Sequence, residues 1–147
     1  MISRLLVAAS IVFALSAVAA DRVTATQAWA RATPPGTSVG AAYVSIEGGA
    51  VADRLVAAHV DGAARVEFHE ARNDGGIARM RPLAAVDVPA EARVVFAPNG
   101  LHLMLVGLER PLVVGEHRKL TLDFEHAGHL EILLQVRPAT TDGAGAN

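Results

Sequence analysis

Histidine and methionine are the side chains here whose types and spacing could do chemistry. Apart from the initiator there are two methionines, Met80 and Met104, and six histidines, at positions 59, 69, 102, 117, 126 and 129. His102 and Met104 stand two residues apart within Leu101-His102-Leu103-Met104-Leu105. Read as a strand, this stretch puts the three leucines on one face and the imidazole and thioether on the other, because successive side chains point to opposite faces. Counting back from His102, twenty-one residues separate it from Met80, and ten more separate Met80 from His69. Two imidazoles and two thioethers are all neutral donors. They would leave a bound ion its own charge, and thioethers select Cu(I) over the harder Cu(II). A set without thiolate also binds less tenaciously than a cysteine pair, which suits a donor of copper better than a store.

Composition removes several other chemistries. The chain has no cysteine, so it has no disulfide framework, no thiolate ligand and no lipid-modified cysteine. A blue-copper site, which needs one thiolate with two histidines, is excluded for the same reason. With 13 basic and 15 acidic residues the formal charge is -2, and no Lys/Arg cluster exists to neutralise phosphates, so nucleic acid is not an expected partner. No nucleophile stands beside a base, and Gly75-Gly76 lacks the helix and lysine of a phosphate-cradling loop. An enzyme is not expected.

The elements that must carry the four donors read as strands. From Ala64 to Ala71 the chain alternates, with Val66 and Phe68 on one face and Arg65, Glu67 and His69 on the other. Asn73-Asp74-Gly75-Gly76 then turns it and Ile77 to Leu83 returns, a hairpin that brings His69 and Met80 to one end of the domain. The His102-x-Met104 strand would supply the other half of a four-coordinate site. Further short strands are expected over 23–30, 41–46, 55–60, 86–90, 93–96, 119–125 and 130–136, with turns at Thr33 to Ser38, Asp61-Gly62 and Ala127-Gly128. This pattern predicts one all-β domain, an antiparallel Greek-key β-sandwich or barrel. At the N-terminus, Arg4, an apolar run from Leu5 to Leu15 and Ser16-Ala17-Val18-Ala19-Ala20 read as a secretory signal peptide cut near Ala19 or Ala20. The expected organisation is a signal peptide at 1–20, a domain at 21–137 and a disordered tail at 138–147, with no stable membrane insertion after cleavage.

The spacing His69, ten residues, Met80, twenty-one residues, His102-x-Met104 resembles the motif of the periplasmic copper chaperones of the PCu(A)C family. The likeness runs through Trp29-Ala30-Arg31, Ala42-Tyr43, Val66-Glu67-Phe68-His69-Glu70, Met80-Arg81, Pro98 to Met104 and Leu120 to Phe124, and spans about Val23 to Val136. It implies a cupredoxin-like β-sandwich, a periplasmic monomer, and Cu(I) held by His69, Met80, His102 and Met104. It further implies delivery of copper to the binuclear centre of cytochrome c oxidase, with the oxidase's copper-bearing subunit and a Sco-type thioredoxin-like chaperone as partners. The alternative is a copper-buffering or resistance protein without a dedicated oxidase acceptor. Asn99 departs from the family where a second glycine is common, and asparagine tolerates the same positive-φ turn. The tail lacks the Met/His-rich extension that some relatives use for a second copper.

Three readings around this site stay open at this level. Glu67 and Glu70 could hold the tautomer of His69 or simply be solvated carboxylates. His126 and His129, with His117 on the adjoining strand, could form a second, weaker Cu(II) or Zn(II) site, although exposed histidines beside hairpin turns are commonplace. His59 reads as a surface residue, and Trp29 and Tyr43 as packing.

Overall fold

In the computed structural model, residues 21–142 are described; residues 1–20, where a signal peptide is expected, and residues 143–147 lie outside them. Ten strands follow in order: β1 (Thr24–Arg31), β2 (Val39–Glu47), β3 (Asp53–Val60), β4 (Ala63–Asp74), β5 (Ile77–Leu83), β6 (Val86–Val88), β7 (Arg93–Val95), β8 (Leu101–Leu108), β9 (His117–Phe124) and β10 (Gly128–Arg137). They form one open sheet in the order β5-β4-β8-β2-β1-β10-β9-β3-β6, with β7 paired to β2. No helix occurs among the described residues, and the all-β expectation holds.

The pairing is antiparallel with one exception. β1 and β10 run parallel, Trp29 opposite Gln135 and Arg31 opposite Arg137. A parallel neighbour requires a long crossover, and here the whole intervening domain supplies it. Beyond β10, Thr141 bonds back to Pro138. Arg31 donates from Nε and Nη2 to the Thr141 carbonyl at 3.3 and 3.1 Å, so residues 138–142 of the expected tail are tethered to β1.

The sheet rolls around one core. Trp29, Tyr43, Ile46, Leu55, Phe68, Leu103, Leu105, Leu122 and Leu134 come from strands along the whole path and are all buried in it, and β3 packs against β4 although the two are not paired. The corner between them turns at Asp61 and Gly62, whose φ is +81°. Arg118 pins it: the buried guanidinium donates to the Asp61 carbonyl at 3.2 Å, the Pro111 carbonyl at 3.2 Å and Glu116 Oε1 at 2.9 Å. A buried charge is tolerable when its donors are matched in this way.

Two local features aim the strands of interest. In the β4–β5 hairpin Asp74 faces Ile77, and Gly75 and Gly76 have φ of 62° and 87°. Positive φ at both central positions is what a tight type I′ turn requires. Ahead of β8, Asn99 has φ 66°, the conformation anticipated from its residue type. The Ala97-to-Gly100 turn closes with Gly100 N–H donating to the Ala97 carbonyl at 3.1 Å. Leu103 and Leu105 then enter the core with no exposed surface, each stabilising the strand by about 1.5–3 kcal/mol through burial. Alternation leaves His102 and Met104 on the opposite face.

Candidate metal centre

Strand register brings the four donors to one face. His69 on β4 lies directly opposite His102 on β8, and Glu67 opposite Met104. On the other side of β4, Ala71 is opposite Met80. Because 67, 69 and 71 share a parity on β4, every one of these partners faces the same way. The imidazole rings of His69 and His102 are 5.6 Å apart, centroid to centroid, and tilted by 57°.

Met80, His102 and Met104 line a cleft of about 430 Å³ together with Ala71, Pro98, Ala41, Tyr43 and Arg31. The methyl of Ala71 leaves room for the Met80 side chain in front of β4. His69 is not among the lining residues; it stands beside His102 with its side chain 12% exposed. The donors differ in exposure: His102 is buried at 7%, whereas Met80, on the edge strand, is 55% exposed.

The hydrogen bonds decide which imidazole nitrogens are free. His102 Nδ1–H donates to the Gly100 carbonyl at 3.1 Å, and a carbonyl can only accept, so the lone pair of His102 is on Nε2. In His69 the roles are reversed. Its Nε2–H donates to Glu67 Oε2 at 3.0 Å, which leaves the lone pair on Nδ1. That atom is buried, and among the described residues it is the one buried side-chain nitrogen or oxygen without a hydrogen-bond partner. A buried unsatisfied polar atom costs about 1–3 kcal/mol and calls for a reason; a bound ion would supply the missing partner. The hydrogen bond from Arg65, and then that from His69, holds the Glu67 carboxyl below the usual carboxylate range against the opposing effect of desolvation.

Behind the cleft, Trp29 and Tyr43 face each other across β1 and β2 with ring centroids 4.5 Å apart, both buried. Arg31 lies 5.8 Å over the Tyr43 ring. Burial raises the Tyr43 phenol, Arg31 partly opposes this, and the ring is a neutral wall. The pair packs, as its residue types suggest.

Of the two carboxylates next to His69, only Glu67 touches it. Glu70 points to the other face, where it accepts from Arg72 Nε at 2.8 Å and Arg81 Nη2 at 2.9 Å. Strand parity alone separates the two, since 67 and 69 share a face and 70 does not. Arg31 and Tyr43 were missed as cleft residues because only the pairing of β1 with β2 and of β2 with β8 brings them there.

Of the remaining histidines, His126 and His129 line one cleft beside the β9–β10 turn, but His117 does not join them. His117 pairs with Gln135 at the far end of β9 from His129, which pairs with Asp123. It is His59 that joins His129: both contact Asp123, His59 Nε2 at 3.2 Å and His129 Nδ1 at 2.5 Å. These two imidazoles are 68% and 79% exposed. Among the described residues no three of His, Cys, Asp and Glu are grouped to hold a metal ion.

Comparison with known proteins agrees with this geometry. The LpqE-like lipoprotein family model matches residues 23–136. A protein named "Putative lipoprotein Lxx21020", from Leifsonia xyli subsp. xyli, is 30% identical over 129 residues, 87% of this chain and 75% of that protein. The copper-bound PCuAC domain from PmoF2 superposes with a TM-score of 0.68 at 26% identity, covering 81% of this chain and 95% of that domain. The solution structure of CuI-DR1885 from Deinococcus radiodurans has a TM-score of 0.65 at 27% identity, with coverage of 88% and 85%. The chain belongs to the LpqE-like family and has the fold of the PCuAC copper-binding domains.

Proposed function

We propose that this protein is an exported Cu(I)-binding chaperone whose cargo is held by His69, Met80, His102 and Met104. The observation that carries the reading is the pairing of His69 with His102 across adjacent strands, one with a buried, partnerless lone pair. Two thioethers on the same face complete a soft, neutral donor set. That the PCuAC domain of PmoF2 and DR1885 are copper-bound proteins of the same fold supports it. The signal-like N-terminus and the lipoprotein relatives support export to the periplasm. The chain has no cysteine to carry a lipid.

Delivery follows from exposure. Three donors sit on or beside the paired strands β4 and β8, while Met80 sits on the free edge β5 and is more than half exposed. A partner's ligand can displace Met80 first and take the ion stepwise. The acceptor proposed is the binuclear copper centre of cytochrome c oxidase, reached with a Sco-type chaperone. Titrating the protein with Cu(I) against a competing chelator tests the assignment. One tight site lost in Met80→Ala and Met104→Ala is expected; binding indifferent to both substitutions sinks it. A deletion strain that becomes copper-sensitive with its oxidase fully loaded would favour buffering over delivery.

A further inference from the structure

We propose that Glu67 is a positioning residue that commits His69 to bind copper through Nδ1, so that the two imidazoles of the site use different nitrogens. This rests on the copper reading above and adds to it a residue that is not a ligand.

Glu67 and His69 are two apart on β4 and so project side by side from one face. Arg65, two residues further back, donates from Nε to Glu67 Oε1 at 2.7 Å, which leaves Oε2 free to receive His69 Nε2–H at 3.0 Å. The row Arg65-Glu67-His69 therefore relays orientation along a single strand face. Opposite it, Glu67 faces Met104 and His69 faces His102, which places the carboxylate inside the donor row. Metal-ligating histidines characteristically donate their other N–H to such a carboxylate or to a carbonyl, which fixes tautomer and ring orientation and raises ligand basicity. This site contains both kinds of partner. His102 is fixed by the Gly100 carbonyl on Nδ1, and His69 by Glu67 on Nε2. The nitrogens left with lone pairs are Nε2 of His102 and Nδ1 of His69. Nδ1 lies nearer its own strand than Nε2 does, and in His69 it is the buried nitrogen.

The same chain supplies the internal control. Glu70 is adjacent to His69 and equally acidic, but it engages Arg72 and Arg81 on the opposite face and should have no influence on copper.

The test reads tautomer and affinity separately. Long-range proton–nitrogen NMR correlations on the copper-free protein should show His69 protonated on Nε2 in the wild type and as mixed tautomers in Glu67→Ala. Glu67→Gln, whose amide oxygen can still accept from Nε2–H, should keep the wild-type tautomer. Cu(I) affinity should fall about 10–100-fold in Glu67→Ala at unchanged stoichiometry, less in Glu67→Gln, and not at all in Glu70→Ala. Wild-type tautomer and affinity in a folded Glu67→Ala would overturn the role of Glu67 and leave the copper reading intact. Failure of the wild type itself to bind Cu(I) would overturn both, and is recognised directly in the titration.

Discussion

Two pairs of histidines meet across strands in this domain, and their environments are opposite. His69 and His102, on β4 and β8, are largely buried, each with one nitrogen tied to an oxygen acceptor and the other free, and two thioethers share their face. His59 and His129, on β3 and β10, are mostly exposed, both already engage the one carboxylate of Asp123, and no methionine is near. The number of imidazoles is the same in the two places. What differs is whether a lone pair is left without a partner and away from water, and whether soft donors stand beside it. Histidine density is therefore a poor guide to where soft donors gather on one face, and the methionine offsets are a better one.

The contrast can be broken by substitution. The largest effect expected is loss of Cu(I) binding in the Met80→Ala/Met104→Ala double variant, measured by chelator competition, while His59→Ala/His129→Ala binds as the wild type does. Equal losses in the two double variants would erase the distinction. Next comes Leu103→Ala, which removes the anchor between His102 and Met104. It should cost about 2–5 kcal/mol in denaturant unfolding and weaken copper binding with it.

A smaller effect separates the two regions by pH. Asp53 sits at the start of β3 and accepts the backbone N–H groups of His126 and Ala127 at 3.0 and 2.8 Å. Burial raises its carboxyl, but the N–H groups of His126, Arg54 and Ala127 outweigh this and leave it below its ordinary value of 3.8. A lowered carboxyl contributes stability that is complete above its unfolded value and is lost as pH falls through the folded one. Wild type should therefore lose stability below about pH 3.8 more steeply than Asp53→Asn, and equal acid profiles would refute the assignment. At the metal centre acid acts through the ligands instead, since protons compete with copper for the free imidazole nitrogens and affinity should fall on acidification. The smallest effect belongs to Asp123→Asn, whose histidine partners are exposed. A change in unfolding free energy within about 1 kcal/mol is expected, with Cu(I) affinity unmoved.

Much of this was legible before any coordinates. Alternation located all ten strands to within a few residues, Asn73 to Gly76 marked the hairpin that joins the His69 and Met80 strands, and the residue type of Asn99 anticipated its positive φ. Parity could also have separated Glu67 from Glu70. Hidden from view were the pairings between strands distant in the chain. The parallel union of β1 with β10 is the one exception in an otherwise antiparallel sheet. His117 stands apart from His126 and His129, and His59 joins His129 instead, because β3 and β10 both flank β9 in the sheet order.

Local periodicity and turn chemistry act over a few residues, so the sequence by itself determined which segments are strands, which faces they bury and which donor types are available. Only the tertiary structure decided that His69 stands opposite His102, that Arg31 and Tyr43 wall the cleft, and which nitrogen of each imidazole is free. The first two depend on register between strands, and a period of two along one strand carries no information about which strand will lie beside it; the last depends on rotamers that aim each ring at an acceptor two residues away, Glu67 for His69 and the Gly100 carbonyl for His102.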